Sequence, residues 1–220
     1  MIDVYFVDVN VADDVLDALA SLLTIPERAR ADRYRFHEDR RRSIVARAAT
    51  RRFIGRYLGA DPAALIIEEE EFGKPVLRER EIEFNASHSG DLVALAFAKE
   101  TAVGVDVEHR RSLTDPLALA RRFFSDVEVA IVEEAADVAD AFFTIWTAKE
   151  AIVKASGKGI GSGDLRGFTV PFRDPELRPV VGGWSVAAID PHREGYYAAV
   201  ATRDGRRQIT LQSISAAALI

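Results

Sequence analysis

Cysteine is absent from the 220 residues of this chain. Its absence excludes disulfides, thiol nucleophiles, iron–sulfur clusters and cysteine-based zinc sites together. Lysine is scarce, at 5 residues against 24 arginines. Lys74, Lys99, Lys149, Lys154 and Lys158 therefore mark places where a compact ammonium on a flexible stem could be needed. No apolar run approaches the ~18 residues of a membrane span. The opening Met1-Ile2-Asp3-Val4-Tyr5 has no basic start followed by an apolar stretch. A soluble, cytoplasmic protein with no membrane partner is expected. Excess positive charge is also missing. The formal net charge is −6 and the pI is near 5.3, which argues against a nucleic-acid partner.

What is present is ordinary globular composition, with 48% hydrophobic and 29% charged residues. The length suits one large domain or two small ones. The charge is unevenly spread. Residues 27–57 hold 11 Arg against 4 acids, a balance of +7 that leaves −13 for the rest of the chain. A locally basic segment in an acidic protein points to a small anionic ligand, or to no more than a solvated Arg-rich helix.

Residues 3–10 read as a strand. Pro26-Glu27 opens a helical stretch with Val45, Ala49, Phe53 and Tyr57 on one face, stopped by Gly59. Strands are expected at 65–72, 81–85, 91–98 and 102–108, the last two as a hairpin. Helices are expected at 116–124, 126–135 and 139–156, then strands at 166–172, 183–190, 195–202 and 207–213. The order of elements in the first half recurs loosely in the second. The expectation is an α+β protein of two similar α/β lobes, residues 1–104 and 105–220, related by a pseudo-twofold with the active site between them.

Three constellations could carry chemistry. In Val103-Gly104-Val105-Asp106-Val107-Glu108, strand alternation puts the valines on one face and both acids on the other. The acids could bind a hard cation or simply face solvent. Trp146, Glu150 and Lys154 share a helix face at four-residue spacing. The glycine-rich stretch that follows, from Gly157 to Gly163, comes after a helix. It reads as a cap and turn, since a dinucleotide fingerprint comes before a helix. In Phe84-Asn85-Ala86-Ser87-His88-Ser89-Gly90, the adjacent Ser and His point to opposite faces. They cannot form a nucleophile–base pair, but they can bind phosphate oxygens.

Gly73-Lys74-Pro75, Asn85-Ala86-Ser87-His88-Ser89, Val103 to Glu108 and Trp146 to Gly159, in that order, resemble the Sfp-type 4′-phosphopantetheinyl transferases. The resemblance implies a holo-carrier-protein synthase. Such an enzyme moves the 4′-phosphopantetheine arm of coenzyme A to a serine of an apo acyl or peptidyl carrier protein and releases 3′,5′-ADP. The carrier could serve nonribosomal peptide, polyketide or fatty-acid synthesis. The resemblance implies a monomer with Mg²⁺, or Mn²⁺, held by Asp106, Glu108 and Glu150. It places Lys154 on the phosphate next to the reacting bond and Glu128 as general base, with Glu108 or a metal-bound water as alternatives. It places Gly73, Lys74 and Pro75 near the adenine and Ser87 and His88 on phosphate. Arg28, Arg42 and Ser43 fall near the 3′-phosphate. The family often has a second basic residue three positions after the match to Arg28; this chain has Ala31 there, with Arg30 or Arg33 as substitutes. Two other readings compete: a non-catalytic module binding coenzyme A or a carrier, and a nucleic-acid binder using the Arg-rich helix.

Overall fold

The computed structural model describes residues 1–158, 165–180, 182–203, 205 and 207–220. The chain begins with β1 (Ile2–Asp8), α1 (Asp13–Ser21), α2 (Ile25–Ala31) and the long α3 (His37–Leu58). A small hairpin, β2 (Ile67–Glu69) and β3 (Pro75–Leu77), precedes β4 (Glu83–Ser89) and β5 (Leu92–Ala98). Then come β6 (Val103–His109), α4 (Pro116–Phe123), α5 (Asp126–Glu134) and α6 (Val138–Ser156). Four strands close the chain: β7 (Arg178–Val180), β8 (Trp184–Ile189), β9 (Tyr196–Thr202) and β10 (Ile209–Ser215).

The main strands form two four-stranded sheets, ordered β10-β1-β5-β4 and β6-β9-β8-β7. Within each, a strand, a long helix and an antiparallel hairpin follow in sequence, and the hairpin's last strand lies in the middle. The fold is mixed α+β. β10 leaves the second sheet and pairs in parallel with β1, tying the end of the chain to its start.

Three apolar cores explain the layering. One lies between the first sheet and α1 and α3, centred on Phe53, Phe84 and Phe97. A second lies between the other sheet and α4, α5 and α6, around Phe124, Phe142 and Phe143. The third joins the sheets: Ile2, Val4 and Phe6 of β1 meet Val103, Val105 and Val107 of β6. Both faces of each sheet are therefore covered, which accounts for the near-continuous apolar run Leu92–Ala98.

Several expectations change. β6 does not form a hairpin with β5; its ladder partner is β9. Alternation set the faces of β6, but alternation says nothing about which edge pairs. The stretch 166–172 is a 3₁₀ turn at Leu165–Gly167 followed by irregular chain. Its backbone groups are taken by side chains: Lys149 Nζ donates to the carbonyls of Leu165 (2.7 Å) and Phe168 (2.5 Å), and Glu128 accepts from Val170 N (2.9 Å). The expected single helical stretch from Pro26 is broken between α2 and α3. The α6 C-terminus is capped by Gly157 in the left-handed region (φ 69°), where glycine costs least. The remainder of the glycine-rich stretch, 159–164, lies outside the described residues.

Candidate active site

β4 and β6 are edge strands of different sheets, and they run side by side. No backbone ladder joins them. Every second residue of β4 reaches across instead. Asn85 Oδ1 accepts from Val105 N (3.0 Å), Ser87 Oγ donates to Asp106 Oδ1 (2.7 Å), and Ser89 Oγ donates to Glu108 Oε2 (2.9 Å). Ser89 Oγ also accepts from His109 N (3.0 Å). The period of two that alternates faces along a strand aims all three side chains at β6.

α6 lies directly on β6 at Gly104. A Cβ there would sit 2.2 Å from the Ala151 carbonyl oxygen and 2.3 Å from Ala155 N. The missing side chain lets the helix approach, and Glu150 and Lys154 arrive beside Asp106 as a result. Lys154 Nζ lies 2.6 Å from Asp106 Oδ1 and 2.7 Å from Ser87 Oγ. Asp106 and Glu150 are each 3% exposed. Burial first, then the charges of Asp106 and Glu108, push the Glu150 carboxyl up to about 7 against the opposing pull of Lys154. Asp106 Oδ2 and Glu150 Oε1 are buried with no hydrogen-bond partner. Such atoms are costly unless something satisfies them.

Those two oxygens supply a test of fit for a cation. The donor set is all oxygen, from two buried carboxyl groups, which suits Mg²⁺ or Mn²⁺. Among the described residues, no three His, Asp or Glu side chains are already gathered closely enough to hold an ion. Glu108, the third expected ligand, has its Oε2 bonded by Ser89 and by Arg111 Nη1 (3.2 Å).

From this cluster a cleft runs along β4 towards α3. Its inner part is lined by Phe72, Gly73, Lys74, Pro75, Glu150 and Lys154. Its outer part is lined by Arg30, Ser43, Arg47 and His88, by the carboxylates of Glu27 and Glu69, and by Gly73 and Pro75. Gly73 and Pro75 border both. The buried Lys74 donates to the Ala155 carbonyl (3.1 Å), which ties this turn to the end of α6. His88, on the opposite face of β4 from Ser87, faces the outer part. Desolvation, then the Lys154 and Arg42 charges, hold its pKa below the ordinary imidazole value. Arg42 donates to the Gly90 carbonyl (3.0 Å) and is paired with Asp39.

Three expected residues, Arg28, Arg42 and Glu128, line neither part of the cleft; Arg42 lines a separate hollow with His37, Glu38 and Asp91. Arg28 is exposed on α2 and is not among the residues lining the outer cleft. Glu128 is fully buried and pairs with the equally buried Lys149 at 2.8 Å. It also closes the α5 capping box with Ser125 and accepts from Val170 N. Both of its oxygens serve the packing of α5, and no hydrogen bond or ion pair joins it to Asp106, Glu150 or Lys154. Sequence reasoning missed Arg47 and Ser89. The four-residue step from Ser43 to Arg47 on one helix, and the polar alternation Asn85-Ser87-Ser89, were the available signals.

Two family models match the chain. One, described as 4′-phosphopantetheinyl transferase superfamily, spans residues 102–209; the other, 4′-phosphopantetheinyl transferase, N-terminal, spans residues 11–100. The 4′-phosphopantetheinyl transferase HetI of Nostoc sp. is 35% identical over 182 residues, covering 80% of this chain and 77% of that protein. The chain belongs to the 4′-phosphopantetheinyl transferase family. Psf-1 of Bacillus pumilus, another 4′-phosphopantetheinyl transferase, is 37% identical over 70% of this chain and 66% of its own length. Sfp of Bacillus subtilis, a third, is 27% identical over 70% of this chain and 69% of its own. The boundary between the two matched regions of this family member falls at the entry to β6. The β4–β6 seam therefore joins the last long hairpin of one region to the first strand of the other.

Proposed function

We propose that this chain transfers the 4′-phosphopantetheine arm of coenzyme A to a serine hydroxyl of an apo acyl or peptidyl carrier protein, releasing 3′,5′-ADP. One observation carries the reading. Two buried carboxylate oxygens without partners lie beside Lys154, at one end of a cleft whose other end holds Arg30, Arg47, Ser43 and His88. A pyrophosphate with a separate phosphomonoester has charge at two places, and the cleft has complementary groups at two places.

Asp106 and Glu150, with Glu108 beside them, would hold Mg²⁺. When bound, the ion supplies neutralisation of the pyrophosphate charge. The serine oxygen bonds to the phosphorus that carries the pantetheine arm. The bond from that phosphorus to the bridging oxygen breaks, and its electron pair leaves with 3′,5′-ADP. Lys154 offers its ammonium to the phosphate oxygens that gain charge in this step. With Glu128 sealed, the serine proton would pass to Glu108, the carboxylate alternative at the inner end of the cleft. Ser87 keeps Lys154 and Asp106 in register through its two hydrogen bonds. The turn Gly73-Lys74-Pro75 forms the wall between the two ends of the cleft, where the adenosine would lie.

The test is intact-protein mass spectrometry of several apo carriers incubated with the chain, coenzyme A and Mg²⁺. One added phosphopantetheine per carrier, abolished by a chelator and restored by Mg²⁺, is expected. No added mass on any carrier would refute the reading.

A further inference from the structure

The turn between β4 and β5 is gripped from two sides. Its Gly90 has φ 54°, in the left-handed region that favours glycine. A Cβ there would lie 2.4 Å from the Tyr196 hydroxyl oxygen and 3.1 Å from the His109 Cβ. The missing side chain lets the turn settle onto the start of β9. The next residue, Asp91, uses both of its backbone groups. Its N–H donates to the Tyr196 hydroxyl oxygen (2.8 Å), and its carbonyl accepts from Val9 N (3.0 Å), just beyond β1. Asp91 and Tyr196 are 105 positions apart in the chain, so this contact exists only when the two sheets are docked.

Tyr196 is itself fixed. It faces His109 across the β6–β9 ladder, and the two ring centroids are 4.5 Å apart. The Arg193 guanidinium carbon lies 5.3 Å from the centre of the tyrosine ring, and Arg193 pairs with Asp8 of β1 at 2.9 Å. On the other side of Gly90 is Ser89. Its Oγ accepts from His109 N and donates to Glu108 Oε2. Arg111, the other group on that oxygen, is 61% exposed, and an exposed ion pair holds a carboxylate weakly. Ser89 is the anchored contact. A short path therefore runs from Tyr196 through the Gly90 turn to Ser89 and on to Glu108.

We propose that Tyr196 is a positioning residue for transfer: from the second sheet its hydroxyl sets the β4–β5 turn, and through Ser89 that turn orients the Glu108 carboxylate. The inference rests on the transferase reading for the reaction. The contacts do not depend on it. Tyr196 lines neither part of the cleft. Its loss therefore acts on the rate of transfer and not on the binding of coenzyme A.

The experiment measures kcat for transfer to an apo carrier with Mg²⁺, alongside calorimetric affinity for coenzyme A and denaturant unfolding. The chains compared are wild type, Tyr196→Phe, Ser89→Ala, the double variant, Ser89→Thr and Tyr197→Phe. Tyr196→Phe keeps the ring and removes only the acceptor for Asp91. Misplacing a reacting group by about 1 Å can cost about 100-fold. Tyr196→Phe is expected to lower kcat about 10-fold and to leave coenzyme A affinity within about twofold. Ser89→Ala should lose at least as much. Because both act through one path, the double variant should be no slower than Ser89→Ala alone. Ser89→Thr keeps the hydroxyl and should recover most of the rate. Tyr197→Phe removes a hydroxyl bond to Asp140 (3.0 Å) from the next residue of β9 and should transfer at the wild-type rate. Unchanged kcat in Tyr196→Phe, losses that multiply in the double variant, or an equal loss in Tyr197→Phe overturns the inference and leaves the transferase reading standing. A wild-type chain that modifies no carrier overturns both.

Discussion

Glu128 and Lys149 pair at 2.8 Å with neither side chain exposed. Removing one partner breaks a fully buried ion pair, which costs about 3–5 kcal/mol. Glu128→Gln and Lys149→Met are therefore expected to lose stability of that order, measured by denaturant unfolding. A general-base role for Glu128 predicts the opposite pattern, lost turnover with unchanged stability. Glu27 makes a second prediction at this scale. Burial raises its pKa, but the Arg51 hydrogen bonds, the Thr24 amide and the Arg47 charge together bring it below the ordinary 4.5. A carboxylate with a lowered folded pKa stabilises the protein fully above its unfolded value, and that contribution fades as pH falls through the folded value. The gap in unfolding free energy between wild type and Glu27→Gln is expected to be large at neutral pH. It should narrow steadily below about pH 4.5. A gap independent of pH would contradict the account of this pair.

At the scale of elements, α6 approaches β6 closely at Gly104. Gly104→Ala would place a methyl group 2.2 Å from the Ala151 carbonyl oxygen. Overpacking of this kind costs about 1–3 kcal/mol. It also moves the helix that carries Glu150 and Lys154 away from Asp106. Gly104→Ala is thus expected to lower the melting temperature and the rate of transfer together. A variant with lowered stability and unchanged transfer would show that the site tolerates the displacement. Much of this level was legible in the sequence. The helical stripe Val45, Ala49, Phe53 and Tyr57 located α3, β-branched and aromatic residues located β1, a buried apolar run located β5, and alternation gave the faces of β6. α1 went unread, although Leu16 and Leu19 are buried at helical spacing after Asp13 and Asp14. Its short amphipathic run between two strong signals was easy to pass over. The partner of β6 was not legible, because the choice between β5 and β9 is made by sheet packing and not by the strand itself. Motif order brought Asp106, Glu150, Lys154, Ser87 and His88 to attention. It could not show that Glu128 is sealed in a helix cap, since Ser125-Asp126-Val127-Glu128 reads equally well as a capping box or as part of a site.

For the whole molecule, the two sheets share one core but meet at a seam, and the seam is where polar side chains replace backbone pairing. Asn85, Ser87 and Ser89 satisfy groups on β6 and leave its carboxylates facing α6 and the cleft. The basic segment of an acidic chain becomes the outer wall of that cleft through α2 and α3, while the acids of β6 and α6 form its inner end. Among the described residues, no helix is long and apolar enough to cross a membrane. The account predicts a division of labour between the two ends: the outer end binds, and the inner end reacts. The most direct test is the rate at which apo carrier gains one phosphopantetheine, read by intact mass, for wild type, Asp106→Asn and Glu150→Gln. Each variant is checked for folding and for coenzyme A affinity. The wild type should modify the carrier. Both variants should keep the fold, bind coenzyme A through the outer cleft, and transfer at least about 100-fold more slowly. Transfer by either variant at the wild-type rate would contradict the account.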